Sequence, residues 1–220
     1  EGNLEKTVRD IRENAPDFDY VIVNDCSTDN TLGMCREKGF SYLNLPVNLG
    51  IGGAVQTGYR YAYYHGYDLA VQFDGDGQHS AKFLAQMAQV LEETESDMVI
   101  GSRFIEKEGF QSSGLRRIGI RYFSLLIKLL TGKTVTDPTS GMRMINRKLL
   151  KKFTNEYPKD YPEPESVVTV LSEKHKVTEI PVVMNEREEG ISSISLRNSV
   201  YYMIKVSFAS RSLRKSSECC

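Results

Sequence analysis

The most informative segment of this sequence is Leu69-Ala70-Val71-Gln72-Phe73-Asp74-Gly75-Asp76-Gly77-Gln78, an apolar run that ends in two carboxylates separated by one glycine. The run predicts a strand over 68–73 with Asp74 and Asp76 just beyond its end. Mg²⁺ or Mn²⁺ suits such a place, because these ions take one or two carboxylates together with substrate phosphates. An acidic turn with flexible glycines explains the triplet by itself equally well.

Strand and helix patterns alternate around this segment. They predict a helix that ends before Pro16, and further helices and strands in the order strand 18–23, helix 28–38, strand 40–45, helix 52–66, strand 68–73, helix 81–93 and strand 97–100. This alternation is typical of an α/β fold with a mostly parallel sheet flanked by helices. Such sheets bind ligands at the carboxyl ends of their strands, so we expect the site after Val23, Phe73 and Ile100.

The second half of the chain predicts a strongly apolar helix over 116–131, a strand over 140–145, a helix over 165–175, a strand over 177–184 and a last helix over 195 to about 214. Two of these helices are amphipathic and basic. The helix over 116–131 places its polar residues in one stripe, and the last helix mixes apolar residues with Arg and Lys. Helices of this composition can lie in a membrane interface. Packing against the domain or against a second subunit is an equally good explanation for either helix alone.

Two polar segments are expected to join Asp74 at the same edge of the sheet. Asp25 follows the strand over 18–23, and its carboxylate can accept hydrogen bonds from a base or ribose. The glycine-rich entry to the helix over 52–66, which includes Asn48 and Gly53, suits phosphate at a helix N-terminus. Glycine for close packing explains that segment equally well.

Composition excludes several protein classes. The 220 residues are 40% hydrophobic and 26% charged, which is ordinary for a globular protein and excludes disorder, collagen and small disulfide scaffolds. The net charge of −1 gives no overall attraction to nucleic acid. No apolar run approaches the roughly 20 residues of a membrane span. Four cysteines without metal-ligand or disulfide spacing fit a reducing compartment, so we expect a cytoplasmic location.

Five motifs occur in an order that resembles family 2 glycosyltransferases. They are Asn-Asp-Cys-Ser-Thr-Asp at 24–29, Asn-Leu-Gly-Ile-Gly-Gly-Ala at 48–54, Asp-Gly-Asp-Gly-Gln-His at 74–79, Gly-Ser-Arg at 101–103 and Thr-Asp-Pro-Thr-Ser-Gly-Met-Arg at 136–143. The set is most similar to the polyprenyl-phosphate branch, which includes dolichyl-phosphate mannose synthase. The resemblance covers nearly the whole chain and implies a GT-A fold. It further implies an inverting transfer from a UDP- or GDP-sugar donor to a polyprenyl phosphate acceptor.

The resemblance also implies roles for individual residues. It assigns nucleotide binding to Asp25, Asn48, Gly53 and Asp74. It assigns binding of the metal, Mg²⁺ or Mn²⁺, to Asp74, Asp76 and Gln78. Acceptor phosphate or sugar binding falls to Arg103, Arg117, Ser140 and Arg143. The catalytic set is Asp76, Arg103, Asp137 and Glu165.

The sequence departs from the family pattern at two places. Members normally begin with an apolar strand, and that first strand is expected to be missing ahead of Leu4. Cys26 stands where the family usually has glycine. We expect a GT-A catalytic domain over 1–190 and a C-terminal amphipathic helix or tail over 191–220.

The charge pattern favours an anionic acceptor. A phosphate monoester is already anionic and needs cations rather than a general base. Residues 103–133 carry an excess of five positive charges, from Arg103, Lys107, Arg116, Arg117, Arg121, Lys128 and Lys133 against Glu106 and Glu108. We therefore expect peripheral attachment at the inner face of the membrane.

Two alternatives stay open. One is a transferase for a soluble or polysaccharide hydroxyl, with Glu165 or Asp137 as base. The other is a nucleotide-sugar-binding subunit that needs a membrane-protein partner. A homo-oligomer also stays open.

Overall fold

The computed structural model describes residues 2–106, 114–160 and 162–185. The predicted helix over 195–214, the domain boundary after residue 190 and the tail over 191–220 lie outside this range. None of the described helices is both long and apolar enough to cross a bilayer.

The elements follow one another in alternating order along the chain. The first half contains α1 (Leu4–Asn14), β1 (Ile22–Asn24), α2 (Thr31–Glu37), β2 (Tyr42–Asn44), α3 (Gly50–Tyr64), β3 (Leu69–Gln72), a 3₁₀ turn (Ala81–Phe83), α4 (Leu84–Glu93) and β4 (Met98–Ser102). The second half contains α5 (Gly114–Thr131), β5 (Arg143–Asn146), α6 (Arg147–Asn155), α7 (Pro162–Ser172) and β6 (Val177–Pro181). The predicted alternation of helices and strands is confirmed.

The strands form two sheets. β1 and β2 make a parallel pair, and the other four strands lie in the order β3-β5-β4-β6. β5 runs antiparallel to both of its neighbours, whereas β4 and β6 are parallel. β3, β4 and β6 therefore share one direction, and the mixed α/β fold has the mostly parallel sheet that the sequence predicts.

Helix α6 was not predicted. It begins directly after β5, and the side chain of Asn146 caps it by accepting the backbone N–H of Leu149 at 3.0 Å. No glycine or proline separates the strand from the helix, so the usual boundary signal is missing. Leu150 and Phe153 are buried in the core, which explains how so basic a helix is held in place.

The four-stranded sheet has a hydrophobic core on each face. Successive side chains along its strands point alternately into one core and the other. Ile100 and Ile145 pack on one face with Phe153 of α6. Val99 and Met144 pack on the other face with Met87 of α4. With both faces covered by helices, the edge formed by the carboxyl ends of β1, β3 and β4, here called the carboxyl edge, is left to bind ligands.

Candidate functional site

Three candidate residues follow the strands whose ends form the carboxyl edge. Asp25 comes directly after β1, Asp74 two residues after β3, and Arg103 directly after β4. This is the placement expected from the sequence.

Asp25 and Asn48 are brought together. The Asp25 carboxylate accepts the backbone N–H of Leu49 at 2.7 Å, and the Asn48 amide donates to the Asp25 carbonyl at 3.2 Å. Asn48 also accepts the backbone N–H of Gly50 at 3.0 Å. Hydrogen bonds therefore join the two loops that carry the motifs predicted to bind the nucleotide.

The glycines of this loop serve packing and backbone conformation. Gly50 has a φ of 74°, which favours glycine. A Cβ on Gly52 would lie 2.1 Å from the Pro158 carbonyl oxygen, and one on Gly53 would lie 2.4 Å from the Cβ of Leu49. The packing explanation for this segment is thus supported, while nucleotide contact by Gly53 stays a prediction.

Asp74 is oriented by His79. The buried His79 ring accepts the Asp74 backbone N–H on Nδ1 at 3.0 Å, and its Nε2 lies 3.7 Å from the Asp74 carboxylate. Phe73 packs edge-on against the same ring, at 5.3 Å between centroids. The Asp74 side chain is 41% exposed, so its carboxylate stays accessible to a ligand.

The Asp74 carboxylate also packs on the loop before β5. A Cβ on Gly141 would lie 2.6 Å from Asp74 Oδ2. Only a residue without a side chain permits this approach. The Asp-Gly-Asp turn and the loop over 136–143 are therefore in direct contact.

The turn that carries Asp76 is tied to the segment after β6. Asp76 accepts the backbone N–H of Gln78 at 3.0 Å. The backbone N–H of Asn185 donates to the Gln78 carbonyl at 2.9 Å, and the Gln78 amide donates to the Asn185 carbonyl at 3.4 Å. Metal binding by Gln78 would use its amide oxygen rather than the donating Nε2, and it stays a prediction.

The donor atoms present fit a divalent ion shared with a substrate. Within the described ranges, no three His, Cys, Asp or Glu side chains form a closed metal cage. Mg²⁺ does not need one, since it commonly uses one or two carboxylates with substrate phosphates and water. Two carboxylates in an open turn meet that requirement.

Arg103 and Asp137 form a buried ion pair. The guanidinium donates to the Asp137 carboxylate from Nε and from Nη2, each at 2.7 Å, and Asp137 is fully buried. Glu179 of β6 accepts the backbone N–H groups of Thr136 and Asp137 at 2.7 and 2.9 Å. Burial raises the pKa of Glu179. In this arrangement the Asp137 carboxylate orients Arg103, and a catalytic role of Asp137 stays a prediction.

Ser140 and Arg143 hold the loop over 136–143 in shape. The fully buried Arg143 guanidinium donates to the carbonyls of Ser140 and Pro138, each at 2.7 Å, and to the Ser166 hydroxyl at 2.8 Å. It also donates to the Glu163 carbonyl. The buried Ser140 hydroxyl accepts the Met142 backbone N–H at 3.2 Å. These contacts stabilise the conformation of the loop. Acceptor binding by Arg143 and Ser140 stays a prediction.

The acidic start of α7 places Glu163 in electrostatic contact with the site. Burial raises the pKa of Glu163, the Arg143 charge opposes the shift and the Asp74 charge adds to it. Glu165 lies partly buried in the same helical turn. Arg117 lies exposed on α5. The catalytic role of Glu165 and the phosphate role of Arg117 stay predictions.

Comparison with known proteins now decides the family. The model of the family described as "Glycosyl transferase family 2" matches residues 1–154. The chain belongs to glycosyl transferase family 2.

Several curated proteins are similar to this family 2 glycosyltransferase. One is the UDP-N-acetylglucosamine–dolichyl-phosphate N-acetylglucosaminyltransferase of Methanococcus voltae, which is 29% identical over 82% of this chain and 81% of its own length. Another is the polyprenol monophosphomannose synthase of Mycolicibacterium smegmatis, which is 25% identical over 93% of this chain and 80% of its own length.

Solved structures share the fold. Glucosyl-3-phosphoglycerate synthase from Mycobacterium tuberculosis, crystallised with Mn²⁺, UDP-glucose and phosphoglyceric acid, superposes with a TM-score of 0.67. The superposition covers 94% of this chain and 76% of that chain at 16% identity. The GT-A fold expected for a family 2 glycosyltransferase is therefore confirmed.

Sequence reasoning missed three residues that shape the site of this family 2 glycosyltransferase: Gly141, Glu179 and Asn185. Gly141 lies inside a motif that the sequence analysis quotes, but its contact with Asp74 joins residues far apart in the chain. Glu179 lies on β6 and has no local signal.

Proposed function

We propose that this family 2 glycosyltransferase transfers a sugar from a UDP- or GDP-sugar to the phosphate of a polyprenyl phosphate at a membrane surface. The observation that carries the proposal is the contact between Asp74 and Gly141. It joins the turn that suits a donor diphosphate to the loop assigned to the acceptor. Both relatives named above are, by their names, polyprenyl-phosphate or polyprenol sugar transferases.

Separate residues bind the nucleotide and the diphosphate of the donor. Asp25 offers a carboxylate oxygen to the donors of a base or ribose, at the loop that Asn48 closes. Asp74 and Asp76 would hold Mg²⁺ or Mn²⁺, and Mn²⁺ accompanies the UDP-sugar in the structural neighbour. A divalent ion bound there would neutralise the charge of the leaving diphosphate.

The transfer itself is an inverting displacement. A phosphate oxygen of the acceptor forms a bond to the anomeric carbon as the bond between that carbon and the diphosphate oxygen breaks. The departing nucleoside diphosphate keeps the electron pair. A phosphate monoester is mostly dianionic at neutral pH because its second pKa is about 6, so the step needs cations near the acceptor and no general base.

The buried ion pair favours this acceptor over a hydroxyl group. A hydroxyl nucleophile would need a general base, and the Asp137 carboxylate already accepts hydrogen bonds from Arg103 and Thr139. Glu165 is the remaining candidate for that alternative.

Helix α5 supplies a surface for the lipid. Its exposed apolar side chains Ile118, Tyr122, Leu125 and Leu129 follow one another at helical spacing along one stripe. Arg121 and Lys128 are exposed beside that stripe. The opposite side of α5 packs into the protein through Ile127, which is fully buried. Apolar residues flanked by cations suit the interface of an anionic bilayer.

A transfer assay tests the proposal. The protein is incubated with Mn²⁺ or Mg²⁺, labelled UDP- and GDP-sugars and polyprenyl phosphate in detergent, and the products are extracted into organic solvent. We expect label in the organic phase, lost in Asp74→Asn and kept in Asp17→Asn, which changes an exposed carboxylate, as the matched control. Labelled product released only into the aqueous phase would instead favour a soluble acceptor or slow hydrolysis of the donor. Donor binding without turnover would establish the partner-dependent subunit.

A further inference from the structure

Glu179 is an acid at a position of β6 where the neighbouring pattern is apolar. It lies opposite Ile100 of β4 in the register of the parallel pair, so the two side chains share a face of the sheet. Ile100 is fully buried in the core on that face, and Val177, two residues before Glu179, packs against the same core. A charged group at such a position needs partners that stabilise it.

Three hydrogen-bond donors at the start of the loop over 136–143 converge on the Glu179 carboxylate. One oxygen accepts the backbone N–H of Thr136 at 2.7 Å. The other accepts the Thr136 hydroxyl and the backbone N–H of Asp137, each at 2.9 Å. A carboxylate only accepts hydrogen bonds and therefore matches three donors, whereas an amide would turn its NH₂ group toward one of the backbone N–H groups. The first two residues of the loop are thus held by a carboxylate in particular.

A chain of two hydroxyls connects the same carboxylate to the end of β4. The Thr136 hydroxyl donates its one proton to Glu179, so the Ser102 hydroxyl, 2.7 Å away, is the donor of the bond between the two hydroxyls. Ser102 Oγ also accepts the backbone N–H of Phe104 at 3.3 Å. The residues on both sides of Arg103 are therefore connected to Glu179 by hydrogen bonds.

The position of Asp137 determines the orientation of Arg103. Asp137 Oδ1 and Oδ2 accept Arg103 Nη2 and Nε, each at 2.7 Å, and Oδ2 also accepts the Arg103 backbone N–H at 3.2 Å. Such a two-point pair fixes the plane of the guanidinium. Arg103 is only 6% exposed, so its orientation decides which of its atoms an anion can reach.

The rest of the loop has a different anchor. The Arg143 guanidinium donates to two carbonyls of the loop, each at 2.7 Å, and Gly141 lies against Asp74. These contacts follow the first two residues of the loop in the chain. A change at Glu179 should therefore disturb the Arg103 side of the site more than the Asp74 side.

We propose that Glu179 is a positioning residue for the acceptor phosphate. Its carboxylate holds the backbone of Thr136 and Asp137 so that Asp137 presents the Arg103 guanidinium to the acceptor. Glu179 acts through Arg103 rather than on the acceptor itself. This role rests on the proposed function and on the assignment of Arg103 to the acceptor phosphate.

The experiment compares the parent with Glu179→Gln and with the matched control Glu92→Gln, which changes an exposed acid of α4. Glu179→Gln keeps the size of the side chain and replaces one acceptor oxygen by an NH₂ donor. Isothermal titration measures binding of the nucleotide sugar with Mn²⁺ and, separately, binding of farnesyl phosphate, a short polyprenyl phosphate. Urea unfolding measures the stability of each protein, and hydrogen exchange is followed in peptides that cover residues 134–139.

We expect Glu179→Gln to weaken farnesyl phosphate binding about tenfold or more and to speed exchange in residues 134–139, because backbone donors lose their acceptor. Donor affinity should change less than about twofold, since the Asp74 side has its own anchor. The control should behave like the parent. Unchanged farnesyl phosphate binding, unchanged exchange, or equal losses of both ligands with a lower urea midpoint would each overturn the role of Glu179.

A double substitution tests the route through Arg103. Adding Glu179→Gln to Arg103→Lys should weaken farnesyl phosphate binding little further, because residues of one network are not additive. A full additional loss would overturn this route. A parent that binds the donor but no farnesyl phosphate would overturn the polyprenyl phosphate acceptor itself. A parent that binds both, with no selective loss in Glu179→Gln, would overturn only the role of Glu179.

Discussion

Asp74 and Gly141 touch so closely that a Cβ on Gly141 would lie 2.6 Å from Asp74 Oδ2. This contact links the two halves of the site through a residue with no side chain. It makes the orientation of a candidate metal ligand depend on a loop more than 60 residues away in the chain.

Gly141→Ala is expected to displace the Asp74 carboxylate and weaken metal-dependent donor binding about tenfold or more, since a displaced ligand loses geometry that Mg²⁺ demands. Isothermal titration with the nucleotide sugar and Mn²⁺ measures the loss. Gly119→Ala is the matched control, because a Cβ there meets no described atom within 4 Å. Unchanged donor affinity in Gly141→Ala would contradict the link between the two halves.

Asp137→Asn is expected to lower the free energy of unfolding by about 3–5 kcal/mol, because it leaves the Arg103 charge buried without its partner. Urea unfolding measures the change. Glu173→Gln, which removes an exposed partner of Lys152, should cost less than about 1 kcal/mol. A large loss of turnover with full stability in Asp137→Asn would instead identify Asp137 as a general base.

Cys26→Gly is expected to stabilise the protein by about 1 kcal/mol. Cys26 is exposed and has a φ of 58°, in the left-handed region where a side chain costs about 1–2 kcal/mol. Part of this gain is offset by the greater freedom of glycine in the unfolded chain. Cys26→Ala keeps the strain and should leave the midpoint of urea unfolding near that of the parent. If glycine and alanine shift the midpoint equally, backbone strain is not the cause.

Asp97→Asn is expected to lower the free energy of unfolding by about 1–2 kcal/mol at pH 6. Burial favours the neutral acid, but hydrogen bonds from Asn146 and His175 hold the pKa of Asp97 below 3.8. A lowered pKa gives stability that is present above the unfolded-state value and is lost as the pH falls through the folded-state value.

The difference in free energy of unfolding between the parent and Asp97→Asn should therefore narrow only below about pH 3.8. Urea unfolding at several pH values between 3 and 6 measures this difference. Asp17→Asn is the control, because its carboxylate is exposed. A gap that stays constant over this range would show that the Asp97 charge does not stabilise the fold.

Leu125→Glu combined with Leu129→Glu is expected to reduce binding to anionic vesicles about tenfold or more, because both side chains lie on the exposed stripe of α5. Vesicle co-sedimentation measures binding, and higher salt should weaken the parent's binding as well. Tyr64→Glu is the control, since Tyr64 is 75% exposed at the end of α3. Equal losses in the control would point to a general charge effect.

Local patterns were enough for much of the fold. Hydrophobic spacing located α1, α3 and α5, because each buries one face at helical periodicity. The same approach failed for α6, where a strand turns into a helix without a boundary residue. It also left open the antiparallel direction of β5, since pairing direction depends on which strands meet in space.

The sequence by itself determined the family, the order of the elements apart from α6, and the strand ends that carry Asp25, Asp74 and Arg103, because these follow from residues adjacent in the chain. The tertiary structure alone decided how those residues are used. It paired Arg103 with Asp137, set Gly141 against Asp74, and placed β1 and β3 along one cavity. Each of these relationships joins distant residues through packing and burial, and no local pattern encodes such a distance.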